Sequence, residues 1–496
     1  MHCHGFFNPG GESRWGVLAH FRKIAMNGLN AYEVVKLGCT RGRPRLWIEG
    51  MKARRAGFAP GQRFNVTKEQ SRSMLIIELT ESGDRVVSRK VQGDKISPVI
   101  DINSLEVLSV FEGYESLRII ACGKRIYILP CAVEIAKKER VDRLRQKLEA
   151  GHPLSVGSFA HGGGILTHAL HKGMKLGGVE TELAFANEIR PELLEHASES
   201  NDAWSANTIP LAAPIQQLAF DDWTVSRLPR VDVVEAGLPC SGASVSGRAR
   251  LGTAKAEDHP EVGHLVASFL ALMAKVNPAV IVFENVKSYF SSASMSIMRG
   301  QLKDFGYDVH EAVLQAGDWN ELEHRERGVM VAVTAGMEFD FLKLAKPAKA
   351  DRKIAEILDA VPLDDKSWSA MQGLKDKQER DKAAGKGFAM QVVTAFDVKC
   401  PTITKGYMKR RSTDPKLQHP EDPTLLRQFN SVEHARIKGI PASLVGGLSE
   451  TVAHEVLGQS VCYAPFVAVG ELVAQTVKRI AQRQEIAFTV DLLACA

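Results

Sequence analysis

Two rhythms divide the chain. Between Tyr32 and about Ile128 the apolar residues come in short runs: SMLIIEL (73–79), DRVVSRKV (84–91), PVIDI (98–102) and SLRIIACGKRIYIL (116–129). Ser82-Gly83-Asp84, Gln92-Gly93-Asp94 and Gly123-Lys124 separate them, which predicts strands joined by turns. From Ala132 to Ala150 the pattern turns helical and heavily charged, and Gly151-His152-Pro153 ends it. From Leu154 the spacing changes. LSVGSF, ELAFANE, VDVVEAGLP and AVIVFENV are buried-strand candidates with helical stretches between them, the signature of a parallel sheet in an α/β domain. This rhythm runs to about Val333. Residues 336–430 are irregular with clustered charge, and from Ser431 the chain reads as two helices around a GGLSE turn. No internal repeat stands out. The pattern predicts a leader (1–30), a β-rich accessory domain ending in a charged helix (31–150), an α/β domain (151–335), an irregular region (336–426) and C-terminal helices (427–496).

Composition adds limits. A chain of 496 residues is long enough for two to four domains. Its 45% hydrophobic and 24% charged residues are those of a soluble globular protein. No apolar run reaches the ~18–20 residues that span a bilayer. The start, MHCHGFFNPGGESRW, lacks a basic segment followed by an apolar core, so no secretory signal is expected. Eight cysteines without a CxxC pair fit neither a zinc cluster nor a disulfide framework, and a cytoplasmic setting without metal is expected. The net charge of +5 is uneven. Residues 1–150 hold 26 of the 63 Lys and Arg and 16 of the 58 Asp and Glu, a net of +10, which leaves 37 against 42 in the rest. That basic third suits a polyanion partner and equally a merely soluble basic domain.

Chemistry concentrates at strand ends. Phe159-Ala160-His161-Gly162-Gly163-Gly164 lies between a strand and a helix, where glycines let a ligand approach the backbone. The next strand ends in Glu188, placed to accept hydrogen bonds from ribose hydroxyls; a tight turn alone would look the same. Pro239-Cys240 follows VDVVEAG, so Cys240 sits at the ligand-binding edge of the sheet, either as a nucleophile or as a small buried residue. Gly242, Gly247 and Gly252 with Arg248, Arg250 and Lys255 make the following stretch a cationic loop. Glu284 follows AVIVF, where a carboxylate is costly unless paired or used. Arg325 and Arg327, spaced by one, precede GVMVAV and point to the same side if that strand extends back to them.

The order of these segments resembles the C5-cytosine DNA methyltransferase family. Arg427-Gln428-Phe429-Asn430-Ser431-Val432-Glu433-His434-Ala435-Arg436-Ile437-Lys438-Gly439-Ile440-Pro441 looks like the family helix beside the recognition domain, and Leu457-Gly458-Gln459-Ser460-Val461 like its last motif. The resemblance covers about residues 154–475. It implies a Rossmann-like methyltransferase sheet that uses S-adenosylmethionine. Phe159, Gly162, Gly163, Gly164, Glu188, Pro239, Gly458, Gln459, Ser460 and Val461 would hold that cofactor. Cys240 would attack C6 of a flipped-out cytosine, Glu284 would bond N3 and the exocyclic amine, and Arg327, helped by Arg325, would hold O2. The loop after Cys240 is the expected lid. Residues 338–426 would read double-stranded DNA, with Lys405, Tyr407, Lys409, Arg410 and Arg411, together with Arg248 and Arg250, contacting it.

Four positions depart from the family. His161 stands in place of a glycine, Glu323 in place of Gln and Gln459 in place of Asn, while the adenine-contacting Asp has no match near Pro214. Methylation of RNA (transfer RNA) and a nucleic-acid-binding regulator with a degenerate methylase body are the alternatives. A cognate restriction enzyme is a possible partner, and activity at the nucleoid is expected. Residues 41–66 also weakly resemble swapped-hairpin domains of the AbrB and SymE type, which bind nucleic acid or dimerise.

Overall fold

The computed structural model of the chain describes residues 28–40, 43–240, 242, 255–386 and 389–482. They form two compact units that divide between Ala136 and Lys137.

The first unit is built from β1 (Leu29–Lys36), β2 (Gly38–Thr40), β3 (Arg43–Glu49), α1 (Met51–Arg55), β4 (Arg63–Glu69), β5 (Met74–Leu79), β6 (Arg85–Val86), β7 (Ser88–Gln92), β8 (Lys95–Ile102), α2 (Leu105–Leu108), β9 (Ser116–Cys122) and β10 (Arg125–Pro130). The strands are arranged in two sheets, ordered β1-β9-β10-β5-β4-β6 and β2-β3-β8-β7. A repeat lies within them. The series strand, short helix, strand, strand occurs as β3-α1-β4-β5 and again as β8-α2-β9-β10. Corresponding strands pair antiparallel with each other: Leu46 faces Ile102 and Ile48 faces Ile100, while Leu75 faces Ile128 and Ile77 faces Ile126. That exchange is the mark of an approximate two-fold axis. Phe58 and Phe111 each follow the short helix and are buried in one shared core. The repeat is hidden in the sequence because only the apolar positions are kept, and alternation every second residue is common to any half-buried strand.

The helix α3 (Ala132–Glu149) spans the division. Its second half belongs to the second unit, so the boundary falls inside this helix rather than after it as its composition predicts. The reason is three basic side chains. Arg140 Nη2 donates to the carbonyl of Phe305 (2.8 Å), Arg143 Nε to Asp232 (2.9 Å), and Lys147 Nζ pairs with the same carboxylate (2.8 Å).

The second unit holds a seven-stranded sheet. In chain order come β11 (Leu154–Phe159), α4 (Ile165–Leu176), β12 (Thr181–Glu188), α5 (Pro191–Ser200), β13 (Ile209–Ala212), α6 (Ile215–Phe220), β14 (Val233–Ala236), α7 (Leu265–Val276), β15 (Val280–Asn285), α8 (Ala293–Asp304), β16 (Tyr307–Gln315), β17 (Glu323–His324) and β18 (Glu326–Thr334). The spatial order is β13-β12-β11-β14-β15-β18-β16. The first five strands are parallel, and β18 runs antiparallel between β15 and β16. β11, β14 and β15 are buried throughout, because helices cover both faces of a parallel sheet. The chain winds outward from β11 to β13 and then returns to place β14 on the other side of β11. The crevice beyond the carboxyl ends of these two neighbours is where such sheets bind ligands.

The irregular region carries its own small core, in which Ile354, Ile357, Cys400, Ile403, Tyr407 and Phe429 take part. It includes one longer helix, α9 (Gln372–Ala383). Three helices close the unit, one more than the sequence predicts: α10 (Ser431–Ile437), α11 (Glu450–Gln459) and α12 (Tyr463–Gln482). α12 packs closely on α4. A Cβ on Gly173 would lie 2.0 Å from the carbonyl of Val467, and one on Gly470 would lie 2.6 Å from that of Leu170. Among the described residues no single helix is long and apolar enough to cross a membrane.

Candidate active site

The turn after β11 is sharply folded. Ala160 (φ 55°), Gly162 (φ 56°) and Gly164 (φ 73°) are all left-handed, which glycine adopts freely and alanine only under strain. Gly162 N donates to Glu188 Oε2 (2.8 Å), so the turn and the end of β12 hold each other. A cavity of about 310 Å³ opens beside them. Gly162, Gly163, Glu188, Pro239, Gln459, Ser460 and Val461 line it. Phe159, Gly164 and Gly458 are set back from its wall. Phe159 is fully buried edge-on to Phe185 and Phe269. Gly458 packs against the backbone of Lys405, where a Cβ would meet Lys405 N at 2.3 Å.

Cys240, Glu284 and Arg327 line the same cavity. Arg327 Nε lies 2.6 Å from Glu284 Oε1, and both side chains are nearly buried. Burial raises the Glu284 carboxyl above its ordinary range and outweighs the opposing pull of Arg327 and Arg325. Arg325 does not share this target. β18 begins at Glu326, so the strand does not reach back to align the two arginines. Arg325 is buried, donates to the carbonyls of Gly458 (2.9 Å) and Ser460 (2.8 Å), and lies 3.5 Å from Glu323. It ties the C-terminal motif to the sheet. Arg248 and Arg250 lie outside the described residues.

Sequence reasoning missed Glu235, whose signal was a carboxylate inside a strand otherwise wholly apolar. Glu235 lines the cavity and is 2% exposed. Its Oε1 accepts from Thr167 Oγ1 (2.5 Å). His161 stands beside it, with Nδ1 3.9 Å from Glu235 Oε1, 2.8 Å from Ser158 Oγ and 3.1 Å from Thr167 Oγ1. Trp204 Nε1 can only donate, and it donates to His161 Nε2 (3.3 Å), which assigns the ring proton to Nδ1. Burial pushes His161 down to about 3 and Glu235 up to about 7. At neutral pH His161 is therefore an uncharged part of a hydrogen-bonded floor.

A second departure, Glu323, also finds partners. Glu323 Oε2 accepts from the fully buried Lys438 Nζ (2.6 Å), and its Oε1 accepts from Ile403 N (3.0 Å). Lys438 and Arg325 hold Glu323 below the usual carboxylate range against the opposing effect of burial. Pro214 caps α6 and is not on the cavity wall. In the basic tract, Lys405, Lys409, Arg410 and Arg411 are exposed. Tyr407 is not: it is fully buried, and its hydroxyl donates to the carbonyl of Pro415 (2.8 Å). It belongs to the core of this region, which corrects its assignment to a nucleic-acid surface.

Residues 155–478 match the profile of the family described as C-5 cytosine-specific DNA methylase. The Type II methyltransferase M.NlaX of Neisseria lactamica is 27% identical over 268 residues, 52% of this chain and 81% of that protein. M.MspI of a Moraxella species is 25% identical over 261 residues, 52% of this chain and 59% of that protein. In fold, the chain is similar to the S. pombe Dnmt2 methyltransferase, with TM-score 0.50 and 18% identity, covering 66% of this chain and 99% of the other.

Proposed function

The chain belongs to the C-5 cytosine-specific DNA methylases, and from that premise we propose how its own residues carry out methyl transfer to C5 of a cytosine in DNA. One observation supports the reading above the others: Cys240, Glu284 and Arg327 share one cavity wall with the glycine turn and Glu188.

The cavity fits S-adenosylmethionine. Gly162 and Gly163 keep the wall low, Glu188 offers a carboxylate toward ribose hydroxyls, and Gln459, Ser460 and Val461 complete the lining. When bound, the cofactor supplies an electrophilic methyl group on a sulfonium. The target base reaches Cys240 only if it leaves the duplex, at a cost of a few kcal/mol. Arg327 then holds O2 of the cytosine, while the Glu284 carboxyl, whose protonated form burial favours, bonds N3. The Cys240 thiolate forms an Sγ–C6 bond as the C5–C6 electron pair moves toward C5. C5 so becomes an enamine-like nucleophile, which free cytosine is not. After methylation the C5 proton leaves, the C5–C6 double bond returns, and Cys240 departs with the Sγ–C6 pair. Lys405, Lys409, Arg410 and Arg411 are available to phosphates beside the site. A cognate endonuclease, as in a Type II system, would complete its setting.

The test is transfer of tritiated methyl to unmodified duplex DNA with base-resolution mapping, together with trapping on a duplex carrying 5-fluorocytosine. Label at C5 within one short motif, and a denaturation-resistant adduct lost in Cys240→Ala, are expected. Label retained at C5 in Cys240→Ala would overturn the mechanism.

A further inference from the structure

Glu188, Glu235 and Glu284 come from β12, β14 and β15, yet they share one face of the sheet. Glu235 aligns with Ser158 on β11 and with Val282 on β15. Glu284 lies two residues beyond Val282, and Glu188 two beyond Ala186, the partner of Ser158. Side chains two apart on a strand point to the same side. All three carboxyls line the cavity. Two are already engaged: Glu188 accepts from the backbone of Gly162 and Arg190, and Glu284 pairs with Arg327. Glu235 is different. Its hydrogen bonds come from hydroxyls, those of Thr167 and Ser158. Among the described residues, the titratable groups beside it are His161, neutral by burial on the turn after β11, and Glu284 on β15. Arg327 on β18 is committed to Glu284.

We propose that Glu235 is a charge selector for the methyl donor, favouring the sulfonium of S-adenosylmethionine over the neutral thioether of the demethylated product. A buried carboxyl without a fixed counter-charge gains most from a ligand that brings one. In the sheet its strand, β14, lies between β12, which carries Glu188, and β15, which carries Glu284, and Cys240 follows the same strand. Transfer removes the positive charge, so the same carboxylate releases the product more readily than the donor. This rests on the cofactor reading above. It adds one consequence: because burial raises Glu235 to about 7, a cationic ligand that binds beside it expels the proton held by the protonated fraction.

The experiment is titration calorimetry of the full chain with S-adenosylmethionine and with S-adenosylhomocysteine, in buffers of different ionisation enthalpy, between pH 6 and 8. The wild type should release a proton with the donor and none with the product. Glu235→Gln should abolish that release and lower the donor-to-product affinity ratio roughly tenfold, the equivalent of about one pKa unit. Thr167→Val, which removes one of the two hydroxyl donors, should move proton release to higher pH and serves if Glu235→Gln folds poorly. An unchanged ratio and unchanged proton release in a folded Glu235→Gln overturn the proposal. So does a variant that keeps the ratio but loses turnover, which would make Glu235 a proton-transfer group. A wild type that binds neither ligand refutes the cofactor reading itself, and the selector with it.

Discussion

Glu284 and Arg327, 43 residues apart in sequence, meet at 2.6 Å because β15 and β18 run side by side in opposite directions. Each is nearly buried, and both line the same cavity. In the proposed mechanism the pairing couples the acid assigned to the ring with the cation assigned to its carbonyl.

Glu284→Gln should lower the rate of methyl transfer by at least ~100-fold, the scale for one well-placed proton donor. Arg327→Ala should lose a similar factor. Neither side chain is expected to grip the cofactor, so S-adenosylmethionine affinity by calorimetry should change less than threefold. A parallel loss of cofactor binding in both variants would contradict the division of roles.

Arg325 should behave differently from Arg327. It bonds the carbonyls of Gly458 and Ser460, not the base. Arg325→Ala should weaken cofactor affinity about tenfold by freeing the 458–461 segment, since two hydrogen bonds from a charged donor are lost. Single-turnover transfer at saturating cofactor should fall much less than in Arg327→Ala. Equal losses in the two variants would show that both arginines act on the base.

The Glu323–Lys438 pair is fully buried, and its effect is asymmetric. Lys438→Met leaves a buried carboxylate beside Arg325 alone and should cost about 3–5 kcal/mol in urea denaturation. Glu323→Gln combined with Lys438→Met should recover most of that loss, because no unpaired charge remains. An additive double variant would mean the two residues are not coupled.

The floor of the cavity gives stability a pH signature. Glu235 is raised to about 7 in the folded state, so its contribution is fully present below its unfolded value and is lost as pH rises through about 7. His161 is depressed to about 3, so its contribution is present above its unfolded value near 6.5 and is lost as pH falls toward 3. Without ligand, Glu235→Gln should therefore gain stability relative to wild type between pH 5 and 7, by up to about 1.4 kcal/mol per pH unit. His161→Gln should remove part of the acid sensitivity below pH 6. Denaturant midpoints across pH 4–8 provide the check, and a Glu235→Gln curve parallel to wild type would contradict it.

Much of this protein was written in local patterns. Continuous apolar runs announced the parallel strands, because a strand covered on both faces has no polar side to show. The residues following those runs, Glu188, Cys240 and Glu284, were marked as site candidates because the winding of such a sheet puts every parallel strand's carboxyl end at one edge. Other features depended on partners distant in sequence. Arg325 and Arg327 look alike as Arg-x-Arg, yet one faces a loop more than 130 residues away and the other a neighbouring strand. Tyr407 sits in a basic tract, but the fold turns its ring into a core. His161 and Glu323 look like defects until Trp204, Thr167 and Lys438 arrive beside them. The paired repeat of the first unit appears only when its strands are laid in register. Periodicity is set by which face of a strand or helix meets water, and that is a local fact. The charge, protonation and purpose of a buried side chain are set by what the folded chain brings within a few ångströms of it, and only the tertiary structure decides that.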